Sequence, residues 1–417
     1  MSKFIGYRCS LCAAEYGPDA LRYTCQEDGG NLDVLLDYDH IRQSLEIDDI
    51  TGSSEQSLWR YLPLIPVKNP EPLRTPLHSA GWTPVYAPKK LAARLGMENL
   101  WVKDESRNPT ASFKDRASAV VVTRAREIGA DVIVTASTGN AGAALAGMAA
   151  AVDHKAIIFA PRSAPPAKIA QLLIYGARVI LVDGSYDDAF DLTVKASDEF
   201  GWYCRNTGYN PFTAEGKKTA AYEIWEWGLA NDSWQNIDNN LPAVFVSVGD
   251  GNIISGIHKG FKDLMALGWI EAVPRIFGVQ SIGSAAIANA FIAGDENIIK
   301  VSSNTLADSI SVDFPRDGVR AVRAARESGG SYVLVNDDEI ISAIAELGDV
   351  GIFAEPAGAT AYAGAVRAVQ QGLIDSSTPT MVINTGSGLK DVQAAMRAVV
   401  DAPVIEPTID ALQRVIK

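Results

Sequence analysis

Beyond about residue 100 the chain alternates short, β-branched apolar runs with longer stretches whose apolar residues recur every three or four positions. The runs Asp131 to Ala136, Lys155 to Ala160, Arg178 to Val182, Ala243 to Val248, Arg275 to Gln280, Tyr332 to Val335 and Met381 to Asn384 predict strands. Between them, Asp115 to Ile128, Ala141 to Ala151, Ala167 to Tyr175 and Lys217 to Leu229 predict helices. Strands that are apolar almost throughout are covered on both faces, so the pattern predicts an α/β protein. In such sheets ligands bind beyond the carboxyl ends of the strands, and four polar or glycine-rich motifs stand at that end of a predicted strand. Residues 36–100 are less periodic. Ser53-Ser-Glu-Gln reads as a loop, and the proline-rich stretch from Pro63 to Pro72 as a segment that wraps the surface or approaches a partner subunit.

A chain of 417 residues can bury two substantial cores, so two domains are expected. Its 47% hydrophobic and 21% charged residues exclude a largely disordered chain. The net charge of −13 argues against a nucleic-acid partner held by its backbone. No uninterrupted apolar stretch reaches the roughly 20 residues needed to span a bilayer, so no membrane partner is expected. The opening Met1-Ser-Lys-Phe-Ile-Gly lacks the apolar run of a signal peptide, and a cytoplasmic location is expected.

Four cysteines are too few for a disulfide framework. Cys9-x-x-Cys12, followed by Cys25 and Asp28, has the outline of a zinc knuckle with Asp28 where a fourth cysteine is expected. Three thiolates and one carboxylate can hold zinc but are an uncommon structural set. A degenerate ribbon that keeps its turns and has lost its ion is the preferred reading. Cys204 reads as buried packing, and His40, His78, His154 and His258 show no ligand spacing.

The candidate chemistry lies in the four strand-end motifs. Asn108-Pro-Thr-Ala-Ser-Phe-Lys114-Asp-Arg116 brings a lysine to a helix start, where burial and the helix terminus can suppress its charge. Alone, such a lysine is an ordinary solvated residue. Thr135-Ala-Ser-Thr-Gly-Asn140 precedes Ala141-Gly-Ala-Ala, and its backbone donors with Ser137 and Thr138 would grip a carboxylate, while Asn140 could bond a cofactor hydroxyl. A simple Ser/Asn cap is the plainer reading of that loop. Val248-Gly-Asp-Gly-Asn-Ile253 lets consecutive N–H groups converge on one small phosphate, provided Asp250 points away. It is not the dinucleotide fingerprint, and no Walker lysine follows it. Ile383-Asn-Thr-Gly-Ser-Gly-Leu-Lys-Asp391 repeats the arrangement, with the Thr385 hydroxyl fixed where it could meet a pyridine nitrogen. Glu355 precedes the Pro356-Ala-Gly-Ala turn; capping a helix is its plainer role and bearing on the pocket the other.

Taken together these motifs resemble the threonine synthase family, within the tryptophan-synthase-β-like (fold type II) pyridoxal phosphate enzymes. The resemblance runs from the Cys9/Cys12 knuckle through Gly81-Trp-Thr-Pro-Val85 to Asp391, and the Lys114 segment looks like the family's Pro-Thr-Gly-Ser-Phe-Lys-Asp-Arg. It implies a two-domain α/β fold with a zinc-knuckle-like segment at 1–35, a large domain from 36–110 and 207–417, and a small domain at 111–206. It implies pyridoxal 5'-phosphate held covalently by Lys114, with Asn140 on its 3-hydroxyl, the Gly249, Asp250, Gly251, Asn252 and Ile253 backbone on its phosphate, and Thr385 on its ring nitrogen. Ser137, Thr138 and Ala141 would line the substrate side. The implied reaction turns O-phosphohomoserine and water into threonine and phosphate in a homodimer. The substrate's phosphate would meet Thr207 and either Lys217 or Lys218. Thr213 stands where many relatives carry a clamping arginine, and a threonine supplies no bidentate fork. Ser387 replaces a common histidine, and Asp313-Phe-Pro-Arg316 a more neutral segment. These departures keep open a β-elimination or β-replacement on serine, threonine or a diamino acid.

Overall fold

The computed structural model describes residues 3–19, 21–231, 234 and 241–416; Met1 and Ser2 lie outside them. The first strands, β1 (Phe4–Cys9), β2 (Glu15–Tyr16) and β3 (Leu32–Leu36), form a small antiparallel sheet in the order β2-β1-β3. Next come β4 (Val85–Tyr86) and β5 (Leu100–Asp104), then β6 (Val132–Ala136), β7 (Lys155–Pro161), β8 (Arg178–Val182) and β9 (Tyr203–Cys204). The last four are β10 (Ala243–Ser247), β11 (Arg275–Ser281), β12 (Tyr332–Val335) and β13 (Thr380–Asn384). All seven runs read as strands from their apolar pattern are strands.

Two parallel sheets organise the rest. The larger runs β12-β11-β10-β13-β5-β4 and is parallel except for the short edge strand β4. The smaller runs β8-β7-β6-β9, all parallel, and its strands lie between Val132 and Cys204. β5, β10 and β13 are buried at every position, as expected of central strands with helices on both faces. The Lys114–Glu127 helix is buried almost all round because it packs against both the Asn140–Ala150 and the Phe212–Lys217 helices. The alanines and glycines of Asn140–Ala150 permit that close approach. The predicted helix from Lys217 to Leu229 is resolved into two, Phe212–Lys217 and Thr219–Leu229.

The Pro63–Pro72 stretch expected to wrap the surface or approach a partner subunit wraps it only in part. Leu64, Ile65 and Val67 are buried in the main core, as are Leu58, Trp59 and Tyr61 just before it, and Trp59 Nε1 donates to Leu77 O at 3.1 Å. Exposure is confined to short pieces such as Lys68–Asn69 and Glu71–Arg74. Burying this many large apolar side chains outweighs the breaks in periodicity that the prolines impose. No helix among the described residues is long and apolar enough to cross a membrane.

Candidate active site

Five strand ends converge on one cavity of about 460 Å³. They are the carboxyl ends of β13 and β10 in the larger sheet and of β6, β7 and β9 in the smaller, the location that parallel sheets offer a ligand. The cavity is lined by Lys114, Ser137, Thr138, Asn140, Ala141, Thr207, Lys217, Gly249 to Ile253 and Thr385. Sequence reasoning had nominated each of them. Glu355 and Arg316 line it too.

Lys114 is the first residue of its helix and is half-buried at the cavity. Its approach is stitched to the β13 loop by backbone bonds: Phe113 N–H donates to Thr385 O at 2.9 Å, and Ser387 N–H to Ala111 O at 3.1 Å. These bonds set Lys114 and Thr385 in one register. Beneath them Arg116 donates to Glu105 and Glu223 at 2.7 Å each, and Lys103 to Glu223 at 2.7 Å, all fully or nearly buried. Asp115 accepts from Thr110 N–H at 2.6 Å, and burial pushes its carboxyl up to about 6. Burial, assisted by the charge of Arg205, holds the Lys114 amine below its ordinary range, against the opposing pull of Glu355 and Asp250. An amine kept partly neutral is what condensation with an aldehyde requires.

The 137–141 loop is not the simple side-chain cap of its plainer reading. Gly139 is the N-cap of the Asn140–Ala150 helix, and no side chain caps it, so the first-turn amides are left to the cavity. Asn140 Nδ2 instead donates to Glu355 Oε1 at 2.7 Å. Glu355 is therefore no cap either: it occupies the N-cap position of the Pro356–Gln370 helix, but its side chain makes no capping bond and turns to the pocket. The surroundings decide this, since the buried carboxylate finds the Asn140 amide there. Burial raises it to about 7, opposed by Lys114 and by the Asn140 bond.

The glycine loop after β10 forms the third wall. Gly251 has φ +92°, and a Cβ there would meet Asp317 O at 2.6 Å, while one at Gly249 would meet Ile310 Cα at 2.8 Å. Only glycines let this loop curl so tightly. It opens the 16-residue Asn252–Leu267 helix, whose N-terminus also has no side-chain cap. Asp250 turns its Oδ1 to Arg316 N–H at 2.9 Å, satisfying that carboxylate outside the loop's own amides.

The fourth wall is basic. Lys217 is fully buried, and its Nζ donates to Asn252 Oδ1. Burial first, then the charges of Lys114 and Arg205, hold its amine well below the ordinary range. Lys218 is no alternative donor here, since it pairs with Glu215 at 2.6 Å and Asp263 at 2.7 Å away from the cavity. Thr213 does not line the cavity; its hydroxyl bonds Asn210 O at 2.7 Å and Asn252 Oδ1 at 3.1 Å, so it orients Asn252. Ser387 likewise serves a local turn, accepting from Leu389 N–H. Arg316 stands at the cavity 3.3 Å from Asp187, its guanidinium 4.6 Å over the Phe190 ring.

Arg205 escaped sequence reasoning. It is completely buried behind Thr207, donates from Nη1 to Thr207 Oγ1 at 2.5 Å, and has an Nη2 with no partner among the described residues. Its signal was a basic residue directly after β9, in front of Asn206-Thr207. A guanidinium only donates, so Thr207 Oγ1 is an acceptor in that bond and its own proton is free for the cavity.

This set of an amine of lowered basicity, an uncapped glycine-rich helix start, a short hydroxyl at Thr385 and the Asn140 amide matches an aromatic aldehyde carrying one phosphate. Comparison with known proteins agrees. A family model described as pyridoxal-phosphate dependent enzyme matches residues 77–386. The chain is 38% identical over 413 residues to a threonine synthase of Methanocaldococcus jannaschii, covering 98% of this chain and 99% of that one. It is 35% identical over 414 residues to a threonine synthase of Methanosarcina acetivorans, covering 98% of each. Among solved structures, the processed form of threonine deaminase isoform 2 from Solanum lycopersicum aligns with a TM-score of 0.66 at 25% identity, covering 84% of this chain and 89% of that one. With the family model and the full-length relatives in agreement, the chain belongs to the pyridoxal-phosphate dependent enzymes, as a threonine synthase-like lyase of fold type II.

Proposed function

We propose that the chain converts O-phospho-L-homoserine and water to L-threonine and phosphate, with pyridoxal phosphate anchored on Lys114. The bound cofactor supplies an electron-withdrawing ring that makes protons on the substrate's Cα and Cβ removable. Lys114 is the mobile base that takes and returns those protons. The amides of Gly249 to Ile253 and the Asn252–Leu267 helix start hold the cofactor's phosphate, Asn140 faces its ring hydroxyl, and Thr385 meets its ring nitrogen with a neutral hydroxyl. The 137–141 amides, with Ser137 and Thr138, receive the substrate's carboxylate. Thr207 and Lys217 receive its phosphate.

The observation that carries this reading is the second anion-binding wall. Beside the glycine loop, where its Nζ reaches Asn252, the same cavity presents Lys217, and next to it the free hydroxyl proton of Thr207 with Arg205 behind it. Neither Lys217 nor Arg205 has a carboxylate within 4.0 Å among the described residues. A substrate without a distal anion would leave the Arg205 charge uncompensated and Lys217 held towards its neutral form. Lys217 and Thr207 thus stand in for the clamp that Thr213 cannot supply.

The test is side-by-side turnover by the holoenzyme. O-phosphohomoserine is expected to release phosphate and yield threonine, with serine, threonine and diaminopropionate slow. Ammonia and keto-acid release from the latter three, with no phosphate from the first, overturns the assignment and leaves an elimination enzyme of the same family.

A further inference from the structure

The N-terminal sheet ends in a feature that the reaction does not use. Cys9, Cys12, Cys25 and Asp28 bring their ligand atoms within 4.8 Å of one another. They belong to two turns built alike. In the first, Cys9 N–H donates to Ala14 O at 2.8 Å and Ala13 N–H to Cys9 O at 3.2 Å. In the second, Cys25 N–H donates to Gly30 O at 2.9 Å and Gly29 N–H to Cys25 O at 3.0 Å. The residue after each second ligand has positive φ: +62° at Ala13 and +72° at Gly29. Asp28 thus occupies in the second turn the place that Cys12 holds in the first.

We propose that these two turns are a pair of knuckles holding one zinc ion through Cys9, Cys12, Cys25 and Asp28. With Zn–S near 2.3 Å and Zn–O near 2.0–2.2 Å, a tetrahedral site places sulfurs about 3.8 Å apart and sulfur and oxygen about 3.5 Å apart. Cys12 Sγ and Cys25 Sγ are 3.6 Å apart, and Cys9 Sγ and Asp28 Oδ1 3.3 Å. The sulfur pair is far beyond the roughly 2.05 Å of a disulfide. Thiolates in such a site need donors around them, and these are in place. Leu11 N–H points to Cys9 Sγ at 3.3 Å, and the Tyr16 hydroxyl lies 3.1 Å from Cys25 Sγ. Gly30 N–H holds Asp28 Oδ1 at 2.8 Å, fixing the carboxylate as a ligand would be fixed. The smallness of Gly30 is required, because a Cβ there would lie 2.9 Å from Cys9 Sγ.

The ion also gives the ribbon a purpose. From the second knuckle, Asn31 Nδ2 donates to Gly208 O at 2.5 Å. Between the knuckles, the Tyr23 hydroxyl accepts from Cys204 N–H at 2.9 Å and its ring stacks on Tyr209 at 4.8 Å. Asp33 pairs with Arg320 at 2.6 Å, and Arg320 with Asp317, which accepts from Asn252. A metal that fixes the knuckles therefore fixes the 204–210 segment carrying Arg205 and Thr207. The residues are few and half of the ligands exposed, so the turns have little apolar core of their own to set them.

Metal analysis of the reduced, full-length holoenzyme after gel filtration tests the proposal without reference to turnover. About one zinc per chain is expected, falling in Cys12→Ser and Asp28→Ala and restored in Asp28→Cys. Cobalt(II) in place of zinc is expected to give the intense visible bands of a tetrahedral thiolate site. The cofactor's visible band serves as the folding check for each variant. Metal-free protein that takes up no added zinc while its cysteines titrate as free thiols overturns the proposal. So does a Cys12–Cys25 disulfide in freshly purified protein, or zinc content unchanged in both loss variants.

Discussion

Replacing Lys217 with glutamine tests the second anion wall most directly. The buried amine donates to Asn252 Oδ1, and burial together with Lys114 and Arg205 lowers its affinity for a proton. Before an anion arrives it is therefore kept towards the neutral form. A phosphomonoester dianion beside it favours the charged form, so binding takes up a proton. Affinity should be greatest at pH below the free amine's lowered pKa. It should fall by up to tenfold per unit as pH rises through the window between the free and the bound pKa. Working above about pH 7 keeps the phosphomonoester itself a dianion, since its second pKa is near 6. A charge-assisted hydrogen bond contributes about 1.5–3 kcal/mol, which is roughly 10- to 150-fold in affinity. Glutamine keeps a neutral donor of similar length towards Asn252, so the fold should tolerate it.

The assay is calorimetric titration of holoenzyme with methyl phosphate in two buffers of different ionisation enthalpy, beside kcat/KM for O-phosphohomoserine. The wild-type protein should take up protons on binding. Lys217→Gln should lose both the uptake and about one to two decades of affinity, with its cofactor band intact. Equal affinities, or no proton uptake by the wild type, would refute the reasoning. Loss of the cofactor band with unchanged methyl phosphate binding would refute it as well, by assigning the amine to the glycine loop.

Other consequences are open to measurement. Lys114→Ala should abolish the borohydride-sensitive visible band of the holoenzyme; a retained band would remove Lys114 from its role. Ala111 holds φ +63° in the turn before the lysine. A left-handed conformation costs about 1–2 kcal/mol and the added freedom of glycine about 0.5–1 kcal/mol, so Ala111→Gly should stabilise the apoprotein by roughly 0.5–1 kcal/mol in urea unfolding. A loss of stability contradicts that account. Glu355 is raised from 4.5 to about 7, chiefly by burial. Between those values the unfolded chain has lost a proton that the folded one keeps, so apoprotein stability falls as pH rises, by about 3 kcal/mol in all. Glu355→Gln should flatten that slope, and an unchanged pH dependence of the urea midpoint would show that the carboxyl does not titrate there.

The parts of this fold legible in the sequence are those fixed locally. The strands covered on both faces announce themselves as apolar runs, and each motif at a strand's carboxyl end reached the cavity because chain direction places it there. What was not legible depends on partners distant in sequence. Glu355 reads as a helix cap until Asn140, 215 residues away, is found to claim its carboxylate. The proline-rich segment reads as surface until the core that covers Leu64 and Ile65 is assembled. Arg205 drew no reading at all, because what buries it is assembled only in the fold.

The pairing of buried cations shows why Arg205 and Lys217 should not be put down to packing. Arg60, Lys103, Arg116, Lys218 and Arg320 are buried, and each has a carboxylate within 4.0 Å. Arg205 and Lys217 are buried as deeply, and among the described residues neither has one. Supply is not the obstacle, since the chain carries 50 acidic residues against 37 basic ones. An uncompensated buried cation costs several kcal/mol; Arg205 carries that cost as a charged group, while Lys217 meets it by being held towards the neutral form. On the proposed function, an anion entering the cavity would offset the Arg205 charge and draw a proton onto Lys217. The same two groups would then strengthen its binding, which is the behaviour a phosphate-bearing substrate requires and a neutral one would not.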